Sequence, residues 1–302
     1  MAWQPLRYES WRASRDTLHG HTQVLGKVAL AVAPAEPQLQ HSALRLTVRG
    51  WETLPLSAPD GSGTIALTLD LRSHHALVEH QDGRGISAPL TPNRAVAEVT
   101  RDVLAAVREL AGDVSISVKP QETPWSTPLD EDTEHAAYNP DQVAGYFDAA
   151  SRAASVLAAF RAPYRGRSTP VNAWWGSFDL AVSLFSGAPA RPPSQDFIMR
   201  NSMDAQEIAV GWWPGDHRYP KAAFYAYAHP APEELAEVEL SAGGWNSTLG
   251  EFILDWDDVI AAHDPGQTAL EFCRGVAQHA CRVCGWDPPL ASTITGVTPT
   301  IR

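Results

Sequence analysis

The sequence predicts an α+β protein made of two pseudo-repeated β-β-β-β-α halves with largely antiparallel sheets. Three observations carry that expectation. Aligning Gly26 with Gly176 superposes the apolar positions Val28, Leu30 and Val32 on Phe178, Leu180 and Val182. In both halves the next apolar run ends in Gly-Trp, at Gly50-Trp51 and at Gly211-Trp212. Each half then closes on an amphipathic segment that opens with a small polar residue and proline and ends at glycine. Alternating apolar positions read as half-buried strands, and Pro at the start with Gly at the end are helix start and stop signals.

Taken in order, the first half holds strands at His21–Val32, Leu44–Trp51, Thr64–Leu71 and Ala76–His80. Its helix starts at Thr91-Pro92, places Val96, Val99, Val103, Val107 and Leu110 on one stripe, and stops at Gly112. A Pro-rich acidic stretch, Pro120 to Glu134, then reads as a connector, followed by a helix from Pro140 to about Phe160. The second half holds strands at Ala173–Val182, Glu207–Trp213, Lys221–Ala228 and Glu251–Trp256, and a helix from Asp264-Pro265 to Gly285 with Phe272, Val276, Ala280 and Val283 inward. Gly187–Gln195 and Ser241–Leu249 read as loops, and the tail beyond Pro288 as extended or frayed. The expected division is residues 1–118, a linker at 119–139, and 140–302, all in one compact unit.

Composition narrows the function. The net charge is −12 over 302 residues, and the densest basic spot, Arg161 to Arg167, holds only three arginines. Binding nucleic acid needs a clustered positive surface, so that partner is not expected. No window approaches the roughly 20 apolar residues of a membrane helix, and no apolar run of signal-peptide length opens the chain. A cytoplasmic protein that engages no membrane is expected. Eleven tryptophans are unusual, and Trp125, Trp213 and Trp245 lie beside Gly and Pro in loop-like contexts where they could line a cleft.

Strand parity gives a candidate site. If His21–Val32 is a strand, His19, His21, Gln23 and Lys27 share the face opposite the apolar one. On the matching strand Trp175, Ser177, Asp179 and Ser183 do the same. Such a face lines a polar pocket or else meets solvent. His19 and His21, two apart on a strand, could chelate a metal if His41, His74, His75, His135 or Asp179 supplied a third ligand. No metal or other cofactor is the main expectation, since imidazole near physiological pH suits acid–base work. Cys273, Cys281 and Cys284 fall on the last helix without a second pair at zinc-binding spacing, so they are expected to pack as core thiols without disulfides.

Several motifs together resemble a known bacterial family, domain of unknown function 5996. They are Gly26–Val32 after His19 and Gln23, Asp132–Tyr138 (DTEHAAY), Ser168–Gly187 (STPVNAWWGSFDLAVSLFSG), Gly211–Gly215 (GWWPG), Ala223–Pro230 (AFYAYAHP) and Gly250–Trp256 (GEFILDW). The likeness runs from about Trp11 to Trp286. It implies one full-length domain and no particular reaction. The family pattern keeps His19, Gln23, Lys27, Arg49, His74, His135, Tyr138, Ser177 and Asp179. This chain departs from it at Gln38 to Gln40, where the pattern reads His-Trp-Trp, and at Ala205-Gln206, where it reads His-Glu. His21 stands where the pattern has an aromatic.

The resulting expectation is an enzyme acting on a small polar molecule in bacterial metabolism, at a site where the two halves join. His21, His74 and His135 would be acid/base groups and Asp179 the orienting carboxylate. Lys27 and Arg49 would anchor an anion, His19, Gln23, Tyr138 and Ser177 would contact substrate, and Trp175 and Trp213 would wall the pocket. The alternatives are a non-catalytic binder of a sugar or flat ring, whose cleft would be aromatic with no cluster of titratable groups, and a scaffold protein.

Overall fold

The computed structural model of the chain describes residues 2–295. These fall into two compact units, 7–148 with 172–179 and 2–6 with 149–171 and 180–295. The α+β expectation holds, with two separate antiparallel sheets and helices around them.

The first unit begins with the largest correction. His21–Val32 is not a strand; it is the second half of a 25-residue helix, α1 (Tyr8–Val32). Pro5 and Pro34 bracket the segment and none lies between them. Trp11, Leu18 and Leu25, seven apart and all buried, form a helical stripe that the alternation of Val24, Val28, Leu30 and Val32 masks. The helix is buried on almost every side, so no single apolar face betrays its period.

Two glycines make that burial possible. A Cβ on Gly26 would fall inside the indole ring of Trp175, and one on Gly20 would come within 2.6 Å of Val96 Cγ2. Both positions give up helix propensity, by about 1 kcal/mol each against alanine, so that neighbouring elements can approach the backbone.

A meander follows: β1 (Arg45–Leu46), β2 (Gly50–Glu52), β3 (Leu56–Ser57), β4 (Thr64–Asp70), β5 (His75–His80) and β6 (Gly85–Pro89). The sheet order is β1-β2-β4-β5-β6, with β3 paired to the far end of β4. The single strand expected at Leu44–Trp51 is instead the hairpin β1–β2, closed by Thr47 N–H donating to Gly50 O (2.8 Å). Helix α2 (Val96–Ala111) places the expected Val96, Val99, Val103, Val107 and Leu110 stripe inward and ends at Gly112, whose φ of 91° suits glycine. It starts at Val96 rather than at Thr91-Pro92. The Glu98 carboxylate accepts the Ala95 N–H at 2.9 Å there, half of a capping box. Residues 119–139, expected as a linker, pack within this unit. Helix α3 (Pro140–Arg161) and β7 (Asn172–Trp174) come next, and the chain divides into its two units within α3.

The second unit is built on β8 (Asp179–Pro189), α4 (Phe197–Ser202), β9 (Ala205–Trp213), β10 (Ala223–His229), β11 (Gly244–Asn246), β12 (Glu251–Asp255), α5 (Trp256–Ala261), α6 (Pro265–Val283) and α7 (Pro288–Ala291). Its strands lie in the order β11-β12-β10-β9-β8, all antiparallel. Ile208, Val210, Trp212, Phe224, Ala226, Phe252 and Leu254 are all fully buried on one face. Helix α6 packs against β9, β10 and β12 with Phe272, Cys273, Val276 and Ala280 inward, and Asp264 caps it by accepting the Gln267 N–H at 3.0 Å. Cys273 and Cys281 are buried free thiols, as expected of core residues. Residues expected as loop or tail contribute the end of β8, all of β11, α7 and a 3-10 turn at Ser292–Thr295; residues 296–302 lie outside the described region.

The expected duplication fails in its proposed register, because Gly26 and Lys27 lie in a helix while Gly176 and Ser177 lie in a turn between β7 and β8.

Replacing Gly26 with alanine therefore sets propensity against packing. Packing should win, because the indole of Trp175 is pinned by its own hydrogen bond to Ser42 O (3.1 Å) and cannot step aside. Urea denaturation should show Gly26→Ala destabilised by about 1–3 kcal/mol, the usual cost of overpacking a core; an unchanged or raised midpoint would contradict this account.

Candidate functional site

Residues 19, 23 and 27 recur every fourth position, so on α1 they form one stripe. The three do share a face, for a helical rather than a strand reason. His19 Nε2 donates to the carbonyls of Trp175 (3.1 Å) and Gly176 (2.8 Å). Gln23 forms an amide pair with the backbone of Gln121, accepting its N–H at 2.9 Å and donating to its carbonyl at 2.8 Å. Lys27 lays its ammonium 5.2 Å from the centre of the Trp175 ring.

The turn that receives these contacts, residues 175–178, is held in an unfavourable shape. Phe178 has φ of 60°, left-handed backbone that a bulky residue avoids. Its ring is stacked by His19 (5.1 Å), Trp51 (5.3 Å) and Tyr146 (5.3 Å), and the Arg15 guanidinium lies 5.3 Å from its centre. Ser177 donates its hydroxyl to the buried Asp179 carboxylate. This turn thus serves packing and polar satisfaction.

His21 leaves the stripe. Residues two apart on a helix point about 200° away from each other, so His19 and His21 straddle Gly20 and cannot chelate one ion. Among the described residues no group of three or more His, Cys, Asp or Glu is arranged to hold a metal. His21 is instead buried near Asp132 and Arg94, 6.5 Å ring to ring from Tyr138, and its Nδ1 has no hydrogen-bond partner among the described residues. Burial, assisted by the Arg94 charge and opposed by Asp132, lowers its pKa to about 3, so the ring is neutral at physiological pH.

His135 has the opposite electrostatics. Its Nδ1 donates to Asp132 Oδ2 at 2.8 Å, while Asp132 Oδ1 accepts the N–H groups of Glu134 and His135, each at 3.1 Å. Asp132 is fully buried and the His135 side chain is 17% exposed. Burial alone would depress the His135 pKa, but the bond to Asp132 and the charges of Asp132, Asp16 and Glu134 together raise it. The loop is anchored to α2: Val96 N–H donates to His135 O at 3.0 Å and Ala97 N–H to Asp132 O at 2.9 Å. Two otherwise orphaned donors of a helix N-terminus thereby fix the dyad.

Trp125 and the pair His74–Tyr138 complete the surroundings. The Trp125 ring lies 4.2 Å from His135 and 5.8 Å from His19, and its buried Nε1 has no partner among the described residues. Tyr138 Oη and His74 Nδ1 share a hydrogen bond of 3.0 Å, and burial and Asp70 raise the Tyr138 pKa so that the phenol stays protonated. Arg49, expected to anchor an anion, is engaged by the chain's own acids, Asp70 at 3.2 Å and Glu79 at 3.4 Å.

Eleven of the twelve residues proposed from sequence thus lie in the first unit. Trp213 belongs to the second, packed with Ala223, Ile253, Tyr219 and Tyr225. Sequence reading left out Asp132 and Arg94. The D-x-x-H spacing of Asp132 and His135 was a usable signal, because an Asp accepting from the backbone two and three residues on brings the third side chain back to it.

A family described as a family of unknown function (DUF5996) matches residues 3–292, nearly the whole chain. The chain belongs to this family. No curated protein and no solved structure matches it. Among the described residues no helix is long and apolar enough to cross a membrane.

The opposed pKa shifts have a measurable consequence. Below about pH 6.5 the unfolded chain protonates His21 while the folded chain does not until about pH 3, so stability falls across that window as pH drops. In His21→Asn the acid-side slope should be shallower by up to about 1.4 kcal/mol per pH unit. For His135, whose folded pKa is raised, stabilisation is complete below about pH 6.5 and fades as pH rises through the raised value. Melting curves of wild type, His21→Asn and His135→Gln from pH 4 to 9 check both signs.

Proposed function

We propose that the chain is an enzyme performing general acid–base chemistry on a small polar molecule, with His135 transferring the proton and Asp132 orienting it. The observation that carries this reading is the 2.8 Å bond between a buried carboxylate and a partly exposed imidazole. With Nδ1 engaged, Nε2 is the nitrogen that works on substrate, and the carboxylate stabilises the imidazolium formed when it takes a proton. A second pair, His74 and Tyr138, lies within hydrogen-bond distance, and His21 is kept neutral beside the charged dyad. Neighbouring groups whose environments drive their pKa values apart are the usual arrangement of an acid and a base working at one pH. The site residues kept in the family pattern, His74, His135 and Tyr138, fall in this group. Three free thiols and a net charge of −12 fit a cytoplasmic protein that handles small molecules rather than nucleic acid.

The second reading is non-catalytic binding of a sugar or flat ring. It draws on Trp125, whose ring lies against His135 and whose buried N–H has no partner among the described residues. The two readings separate in one experiment. Wild type, His135→Gln and Trp125→Phe are exposed to a panel of polar metabolites, with binding followed by ligand-observed NMR and conversion by mass spectrometry. The enzyme reading expects conversion of a bound compound, and a loss of about 10²–10⁴-fold in rate in His135→Gln with affinity changed only a few-fold. Binding without conversion, weakened in Trp125→Phe, would favour the binder. Binding or turnover that is indifferent to both variants would place the function elsewhere.

A further inference from the structure

The chain builds its cations almost entirely from arginine. Of 23 basic residues only Lys27, Lys119 and Lys221 are lysines. Lys119 is exposed, and Lys221 is exposed and bonded to Asp255 at 2.6 Å, as surface lysines commonly are. Lys27 is different: it is 3% exposed, and among the described residues it forms no ion pair and no hydrogen bond. A lysine this enclosed, with no carboxylate beside its ammonium, is costly and is seldom kept without a use. If charge were the purpose, arginine would hold it permanently, and this sequence reaches for arginine nearly everywhere else. What lysine alone offers is a nitrogen that can lose its proton and become a nucleophile.

The surroundings match that use. Burial lowers the Lys27 pKa to about 8, with no charged neighbour contributing, so a large share of the amine is neutral in mildly alkaline solution. The Trp175 indole lies 5.2 Å from Nζ and is fixed by its bond to Ser42 O and by its seat on Gly26. An indole face stabilises a cation without supplying a base or an anion.

We propose that the Lys27 ε-amine is a covalent site that condenses with a small aldehyde or ketone, the Trp175 face holding the iminium that results. The neutral nitrogen adds to the carbonyl carbon, and a proton passes from nitrogen to oxygen to give a carbinolamine. The C–O bond then breaks, the oxygen leaves as water after taking up a proton, and the nitrogen lone pair closes the C=N bond. Amine plus carbonyl gives imine plus water, with no change of oxidation state. The proposal goes beyond the His135 reading, since it uses different residues and stands or falls without that dyad.

The test uses the full-length protein and its own two other lysines as controls. Wild type is incubated at pH 8 with glycolaldehyde or pyruvate and sodium cyanoborohydride, which reduces an imine to a stable secondary amine, and the modified lysines are mapped by peptide mass spectrometry. Lys27 should label at least about tenfold faster than Lys119 or Lys221, because an ordinary lysine with pKa near 10.4 is almost wholly protonated at that pH. Its rate should rise with pH to a plateau with a midpoint near 8, and His135→Gln should label like wild type. Labelling confined to Lys119 and Lys221, or no faster at Lys27, would overturn the proposal. So would protection of the protein by acetate or phosphate without any Lys27 adduct, which would mark the amine as an anion anchor only. Because the readout is on wild type, the result does not depend on whether Lys27→Met folds.

Discussion

The first unit depends on burying a polar helix. Helix α1 carries Ser14, Arg15, Thr17, His19, His21, Thr22, Gln23 and Lys27, all buried. In water these groups would be solvated, and inside a protein each must find a partner or destabilise the fold. Much of the neighbouring architecture follows from this requirement. Loop residue Gln121 is where it is because it pairs with Gln23. The turn at 175–178 presents two carbonyls because His19 needs them. Thr17 and Thr22 turn their hydroxyls back onto the carbonyls of Ala13 and His19 (3.0 and 2.8 Å), satisfying themselves along the helix.

The same requirement sorts the histidines. Where the chain supplies backbone carbonyls, as for His19, an imidazole becomes a hydrogen-bonded tie between elements. A carboxylate beside a partly exposed ring, as for His135, gives a group that carries and releases a proton. His21 receives neither, and burial holds it neutral with one nitrogen uncommitted. Three imidazoles of one unit thus acquire three different chemistries from the groups placed opposite them, with α2 and its anchored loop providing the contrast between the last two.

How much of this was legible in the sequence varies by element. The strands at Ala76–His80 and Lys221–Ala228 and the helix from Asp264-Pro265 were readable because each has one buried face, or a cap, that leaves a clean periodic mark. Helix α1 was not, because a helix buried all round has no polar face to set its period, and its valines happen to alternate. The error carried over to the inferred His19–His21 chelate and to the Gly26–Gly176 alignment. The grouping of His19, Gln23 and Lys27 on one face survived the wrong secondary structure, since i, i+4, i+8 on a helix and odd positions on a strand select these three alike. What no periodicity could show is that Asp132 reaches back to His135, or that Arg49 already has two acids for company.

The strained turn at Phe178 also bears on how the chain acquires its structure as it is made. Residues 172–179 belong to the first unit although 149–171 belong to the second. Until the ribosome has released Trp175, Gly176 and Phe178, His19 has no carbonyls to bind, Gly26 faces an empty groove, and Trp51 and Tyr146 have no ring to enclose. Any nascent or proteolysed chain ending near residue 148 carries a polar helix with nothing to cover this side of it. The first unit is therefore no detachable module, and its folding must wait for a segment encoded beyond the point where it would otherwise be complete.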